Sequence, residues 1–295
     1  MRPPGPWSIQ PDDCPLCQRR EAATIGTRDR SGAPLRIVLC HGCGLVRVSP
    51  RPSPEAHRDF YERQSRREDK NARLPSPRRM YRHARIALDR LEWIRQTARP
   101  GARVLDAGCD GGETVFVLSL AGFDARGIEP DPVLASYARE CLGVPVQNAW
   151  VEQSPPPQER FDVVCSFHLI EHTLDPVAFL QKLRAAAAPG GRLALETPNL
   201  QAPFPHPARR WHKAHLYYFT ADTLADCARA AGWKLLSLST PPTAAICGSA
   251  PSPSAPARQP RTHCAEIRLW SNGALSPPRE GTTLRPSSGC APSGG

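Results

Sequence analysis

Three groups of side chains in this sequence are spaced to do chemistry. The first is Cys14-Pro15-Leu16-Cys17 with Cys40-His41-Gly42-Cys43, two C-x-x-C pairs joined by the stretch from Gln18 to Leu39. Four thiolates at that spacing predict a tetrahedral structural zinc site, closed on all sides and so without a position for substrate. Disulfides compete with that reading, but the eleven cysteines are an odd count, and Arg2 is followed by Pro3, Pro4 and Pro6 instead of the apolar run of a secretory signal. The other seven cysteines show no paired spacing and fit reduced thiols in a cytoplasmic protein.

The second group is a set of carboxylates around a glycine turn, Asp106-Ala107-Gly108-Cys109-Asp110-Gly111-Gly112-Glu113, with Glu129 at the end of the next apolar run. A glycine turn followed by an acid suits a dinucleotide or another adenosine compound. The dinucleotide fingerprint is G-x-G-x-x-G, with a helix N-terminus facing pyrophosphate. Carboxylates at 106, 110 and 113 would repel pyrophosphate and suit a cation, such as a sulfonium with an amino-acid tail. Helix capping is the structural alternative for Asp106 and Asp110.

The third group is His168-Leu169-Ile170-Glu171-His172 together with His215. Histidine titrates near neutral pH, so His168, His172 and His215 are candidate general bases. In a helix, residues 168, 171 and 172 would share one face. The string also matches the H-x-x-E-H of inverted zinc proteases, a reading that its place at the end of a strand disfavours.

The elements that must hold these groups alternate. Strands are predicted at Val104 to the glycine turn, Ala125 to Glu129, Val144 to Asn148, Phe161 to Phe167, Arg192 to Glu196 and Trp233 to Ser239. Helices are predicted from Thr114 to Leu120, from Pro132 to about Leu142, after Asp175-Pro176, and from Asp222 to Ala231. The polar residues fall at strand ends, where an open parallel α/β sheet binds its ligand.

Several stretches in this order carry a resemblance: Leu105-Asp106-Ala107-Gly108-Cys109, Gly127-Ile128-Glu129-Pro130, Phe161-Asp162-Val163-Val164, Ile170-Glu171-His172, Pro189-Gly190-Gly191 and Glu196-Thr197-Pro198-Asn199. With them, residues from about Arg78 to Thr240 resemble class I S-adenosylmethionine-dependent methyltransferases. The likeness is to the small-molecule branch that includes ubiquinone-biosynthesis O-methyltransferases and sugar or natural-product methyltransferases. It implies a Rossmann-like α/β fold, a mostly parallel sheet of six or seven strands with helices on both faces. It further implies that Asp106, Gly108 and Gly112 hold the methionine part of S-adenosylmethionine and Glu129 the ribose hydroxyls. Asn148, Ala149 and Trp150 then fall at the adenine, Phe167 and His168 on the methyl-donor side, and His215 and Tyr217 toward the acceptor. Asp110 departs from the family's glycine. The ubiquinone enzymes use two Glu and a His near here for a divalent cation, and His168 stands at the first Glu position. The cysteine module, followed by Leu45-Val46 and Ser49-Pro50-Arg51-Pro52, resembles the zinc ribbon that precedes sugar and natural-product methyltransferases.

Residues 51–100 carry 14 Arg and Lys against 7 Asp and Glu, within a formal net charge of +10 for the chain. Such a face admits an anionic small substrate. It lacks the aromatic interleaving that stacks bases, which argues against nucleic acid. Ala84, Ala87, Leu88, Leu91, Ile94 and Ala98 predict a helix packed on the sheet as a lid or entry helix. The stretch 241–295 is rich in Pro, Ser and Gly and reads as a disordered tail, in which only Ala265 to Trp270 could supply the family's seventh, antiparallel strand. No stretch is long and apolar enough for a membrane span. The expected organisation is a zinc ribbon over 1–50, a basic linker or helical segment over 51–77, a methyltransferase domain over 78–240 and a tail over 241–295. The expected activity is methylation of a small-molecule oxygen or carbon, with an RNA methyltransferase or an inactive scaffold as the alternatives.

Overall fold

The computed structural model describes residues 13–68, 75–155, 157–202, 210–239 and 264–270. Expectations for positions 1–12, for 69–74 and for the tail apart from 264–270 lie outside the described residues.

Seven strands form one sheet in which every pairing is parallel: β4 (Arg103–Ala107), β5 (Asp124–Glu129), β6 (Val146–Asn148), β7 (Phe161–Phe167), β8 (Ala187–Pro198), β10 (Lys234–Ser239) and β11 (Cys264–Trp270). Their order is β10-β11-β8-β7-β4-β5-β6. The chain winds outward from β4 in one direction and from β7 in the other, so a crevice opens above the carboxyl ends of these two strands.

Alternate residues of each central strand face opposite layers, and both layers are apolar. Val104, Val163 and Ala194 pack with α2 (Pro77–Arg95), α3 (Glu113–Leu120) and α4 (Pro132–Glu140). Leu105, Val164, Leu193 and Leu195 pack with α5 (Pro176–Ala186) and α6 (Ala221–Ala230) on the other face. Truncating a fully buried member such as Leu193 or Ile94 to Ala would cost about 2–5 kcal/mol. The helix starts carry local capping residues. Asp131 caps α4 and Asp175 caps α5, each with proline at the first helical position. Thr220 and Thr223 form a capping box on α6.

The second sheet is antiparallel, in the order β1-β2-β3-β9: β1 (Ala22–Arg28), β2 (Pro34–Cys40), β3 (Val46–Val48) and β9 (Tyr217–Tyr218). Its last strand comes from far along the chain, so the cysteine module is completed by the loop before α6. Arg51 ties the same seam, donating to the carbonyls of Leu174 and Asp13 and to the Tyr217 hydroxyl. Helix α1 (Pro54–Glu68) connects the two parts.

The structure corrects four expectations. Strand β11 is parallel to both β8 and β10, not antiparallel; the chain between Ser239 and Cys264 is long enough for the crossover that a parallel neighbour requires. The tail therefore contributes a strand to the sheet, with Ile267 fully buried. Leu88 on α2 is exposed, and Trp93 is buried instead, because α2 packs mainly along α3. Pro189-Gly190-Gly191 lies inside β8, where the pairing jumps from Phe161 with Ala187 to Val163 with Arg192, so these residues form a bulge after α5 has already ended.

Candidate active site

A cavity of about 690 Å³ occupies the crevice above β4 and β7. Its floor is the glycine turn. Gly112 takes a left-handed conformation (φ +82°), and a Cβ there would lie 2.8 Å from that of Ala138, so only glycine lets α3 begin this close to α4. Asp106 is buried at the end of β4 and Glu129 at the end of β5. Glu129 accepts N–H bonds from Asp131 on one oxygen and from Asp110 on the other, both at 2.9 Å. Burial pushes its carboxyl up to about 8 despite those donors, with the Asp110 charge adding to the rise. Burial likewise raises Asp106 to about 7, against the pull of Arg90, and Glu113 to about 7.

Helix α2 supplies the roof. Arg79 reaches Asp110 at 2.7 and 2.9 Å, and His83 approaches the same carboxylate at 3.3 Å. Arg90 binds Glu196 at 3.0 Å while its guanidinium lies 4.0 Å from the centre of the Phe167 ring. Asp106 and Asp110 are thus not helix caps, since Gly112 holds the N-cap position of α3 without a side-chain bond. Arg79, Arg82 and Arg90 of the basic stretch line this cavity.

Another wall of the cavity comes from the turn after β7. His168 has a positive φ of +55°, and Ile170–His172 form a single 3-10 turn, so 168, 171 and 172 do not stack on a helical face. The left-handed residue swings the ring between two buried carboxylates, 3.1 Å from Glu196 and 3.6 Å from Glu171. Burial opposes the charge on His168, yet the two acids raise it to about 9 and are themselves held down to about 2. His172 lines the cavity, and its Nδ1 lies 2.9 Å from the Ala214 carbonyl. In the neutral ring Nδ1 must donate there, which leaves the lone pair on Nε2.

A sequence model of the methyltransferase-domain family matches residues 78–238. The chain belongs to that family. Among relatives, the ubiquinone biosynthesis O-methyltransferase of Cereibacter sphaeroides is 30% identical over 152 residues, which are 45% of this chain and 60% of that protein. That of Bordetella avium is 33% identical over 122 residues, or 37% of this chain and 49% of the relative. The chain thus spans about half the length of these curated relatives. Among solved structures, a SAM-dependent methyltransferase from Thermotoga maritima covers 60% of this chain and 80% of its own at 21% identity and a TM-score of 0.43.

Within the methyltransferase domain the sequence-derived residues are not all brought together. Asp106, Gly108, Glu129, Phe167, His168 and His172 line the cavity. Gly112, Asn148 and Ala149 do not. The Asn148 amide donates to the carbonyls of Glu129 and Pro130, bracing the strand end, and Trp150 supplies the wall instead. His215 lies behind His172, with ring centres 4.8 Å apart, and faces a second cavity; burial lowers it to about 3. Tyr217 does not line the large cavity: it is fully buried, its hydroxyl donates to the Leu174 carbonyl at 2.7 Å, and it lines the second cavity with His215. Sequence reasoning missed Tyr61, Arg79, His83, Arg90 and Glu196 as lining residues. Only Glu196, at a predicted strand end, carried a local signal.

Glu171, His172 and His215 place their ligand atoms within 4.8 Å of one another. The Glu171 carboxylate is already bonded by the Thr197 hydroxyl at 2.8 Å and balanced by His168, so the ubiquinone enzymes' cation position does not fit here. The cysteines do fit a metal. Cys14, Cys17, Cys40 and Cys43 gather their sulfurs within 4.8 Å, as free thiols and not as disulfides. Both pairs are built alike. The residue after each second cysteine is left-handed, Gln18 at φ +61° and Gly44 at φ +75°, and donates its N–H to the carbonyl of the first cysteine. Burial opposes ionisation and raises the Cys14 and Cys43 thiols, whereas at Cys40 the N–H groups of Cys43 and Gly42, with the Cys17 and Cys14 thiols, outweigh it and lower the thiol to about 7. This is the donor set of a closed structural zinc site.

Proposed function

We propose that this chain transfers a methyl group from S-adenosylmethionine to a small-molecule acceptor, at an oxygen or carbon of a sugar, quinone-like or natural-product compound, and that the four cysteines hold a structural zinc ion. Glu129 carries the reading. Each of its oxygens spends one acceptor position on a backbone N–H and keeps another, as a pair of ribose hydroxyls needs.

The cavity suits the remainder of the cofactor. Asp106 Oδ1 is buried with no hydrogen-bond partner and would accept from an ammonium group. The bound cofactor supplies a methyl group already activated on a sulfonium, which leaves alignment as the protein's main task. Phe167 and Trp150 form apolar walls, and α2 covers the opening to exclude water. For an oxygen acceptor, Nε2 of His172 takes the proton, with Nδ1 anchored on the Ala214 carbonyl. His168 keeps its proton near neutrality and orients the wall as a cation between Glu171 and Glu196.

Calorimetric titration with S-adenosylmethionine and separately with NADH, on the wild type and on Glu129→Ala, tests the reading. Binding of the sulfonium alone, lost in the variant, is expected. Failure of the wild type to bind it would leave a scaffold that retains the fold.

A further inference from the structure

Behind His215, away from the large cavity, lies a second one of about 140 Å³. Its walls come from distant parts of the chain. Arg30 belongs to the β1–β2 turn of the cysteine module, Asn199 follows β8, and Arg210 and His212 precede β9. The hydrogen bond from the Arg30 N–H to the Trp211 carbonyl, at 2.8 Å, holds the first and last of these together.

The chemistry of this cavity is one-sided. His212 Nδ1 accepts from the Ala214 N–H, so in the neutral ring the proton is on Nε2. Asn199 Oδ1 accepts from the Gln201 N–H, which leaves its amide NH₂ as donor. The Arg30 guanidinium makes no hydrogen bond and no ion pair among the described residues, and Arg210 brings a second guanidinium. No described carboxylate lines the space. The adjacent Asp29 is turned into its own loop, where one oxygen accepts from the N–H groups of Ser31 and Ala33 and from the Ser31 hydroxyl. Donors and positive charge converge here: the Leu200 carbonyl accepts from Arg210, and no described residue accepts from the Arg30 guanidinium. The space equals about four to five waters at roughly 30 Å³ each, room for one compact anion.

The position matters as much as the charge. His215 lines this cavity, and His172, whose ring centre is 4.8 Å away, lines the large one. We propose that the cavity at the seam between the cysteine module and the methyltransferase domain binds an anionic group, a phosphate or a carboxylate, carried by the methyl acceptor. The identity of that carrier rests on the methyl-transfer reading; the anion site itself does not. The cysteine module thereby becomes part of substrate recognition, contributing Arg30 to the site.

The test is calorimetric titration of the full-length chain with inorganic pyrophosphate and, separately, with acetate, followed by S-adenosylmethionine on the same sample. Binding of at least one anion is expected, and Arg30→Gln should weaken it about tenfold while Arg30→Lys retains most of it. Pyrophosphate binding alone assigns a phosphate, acetate alone a carboxylate. The proposal is overturned if neither anion binds, if Arg30→Gln binds as tightly as wild type, or if Arg79→Gln abolishes binding instead, which would place the anion in the large cavity. Arg30 is exposed and lies in a turn, so its variants are expected to fold; an unchanged affinity for S-adenosylmethionine verifies this. Anion binding without S-adenosylmethionine binding would sink the methyl-transfer reading and leave the anion site standing; the reverse would sink only the anion site.

Discussion

Arg79 on α2 spans both oxygens of Asp110 in the glycine turn, at 2.7 and 2.9 Å. The contact fastens the roof of the cavity to its floor at a turn residue. Both side chains are about a third exposed, so the pair is worth about 0–1 kcal/mol. Asp110 also sits at φ +52°, which glycine adopts without strain. Asp110→Gly should therefore change stability by less than about 1 kcal/mol while speeding hydrogen exchange in the first turns of α2. Unchanged exchange there would show that α2 is held by its packing on α3 alone.

The raised carboxyls predict how cofactor binding responds to pH. Asp106 and Glu113 at about 7 and Glu129 at about 8 share protons with water near neutrality. A cationic ligand favours their ionised forms, so binding should release protons and tighten as pH rises from 6 to 8. Calorimetry at pH 7 in two buffers of different ionisation enthalpy measures the release directly; identical heats would refute it.

His168 predicts a trend in stability. Its folded value of about 9 lies above the ordinary 6.5, so its contribution is complete below pH 6.5 and fades as pH climbs through 9. Its side chain is 34% exposed, and after discounting for solvent screening the contribution is about 1–2 kcal/mol. Glu171 and Glu196 act at the other end, stabilising above pH 4.5 and losing this as pH falls through 2. Denaturation of His168→Gln at pH 6 and pH 9.5 should show a smaller difference than the wild type.

His172→Ala should reduce turnover on an oxygen acceptor by about 10²–10⁴-fold while shifting the affinity for S-adenosylmethionine little. Comparable losses in both would make the ring a packing element. Added magnesium should leave activity unchanged, since Glu171 is already balanced by His168.

Zinc removal should separate the two halves of the cavity. The cysteine module shares a core with Leu216, Tyr217 and α6, whereas α2, α3 and α4 pack in a different cluster. Cys43→Ser, or treatment with a chelator, should speed hydrogen exchange across 211–218 and leave the affinity for S-adenosylmethionine within about threefold. Loss of cofactor binding would contradict that separation.

Much of this was legible because it is local. Strand β7 runs from Phe161 to Phe167 as the apolar run indicates, and Asp131, Asp175 and Thr220 cap the helices they precede. What failed depends on partners distant in sequence. Strand β9 is too short to show a period, and only pairing with β3 makes Tyr217 a buried post. Asn148 ends another strand too short to reveal which side its amide serves. His168 occupies a left-handed position that favours glycine, and only Glu171 and Glu196 explain why a histidine is there. The direction of β11 was set by its neighbours, not by its own short pattern.

The pairing of Val46 with Tyr218 also orders events in time. Tyr218 is synthesised long after Val46, so the small antiparallel sheet emerges early and waits with an open edge at β3 until most of the chain exists. Closing that edge requires a contact of very high sequence separation, which is slow to form. During the interval Val46–Val48 are a template for a stray strand from another chain, and the hazard ends only when the loop before α6 docks. The cysteine module is made before the parallel sheet, yet its own sheet is closed only after most of that sheet exists.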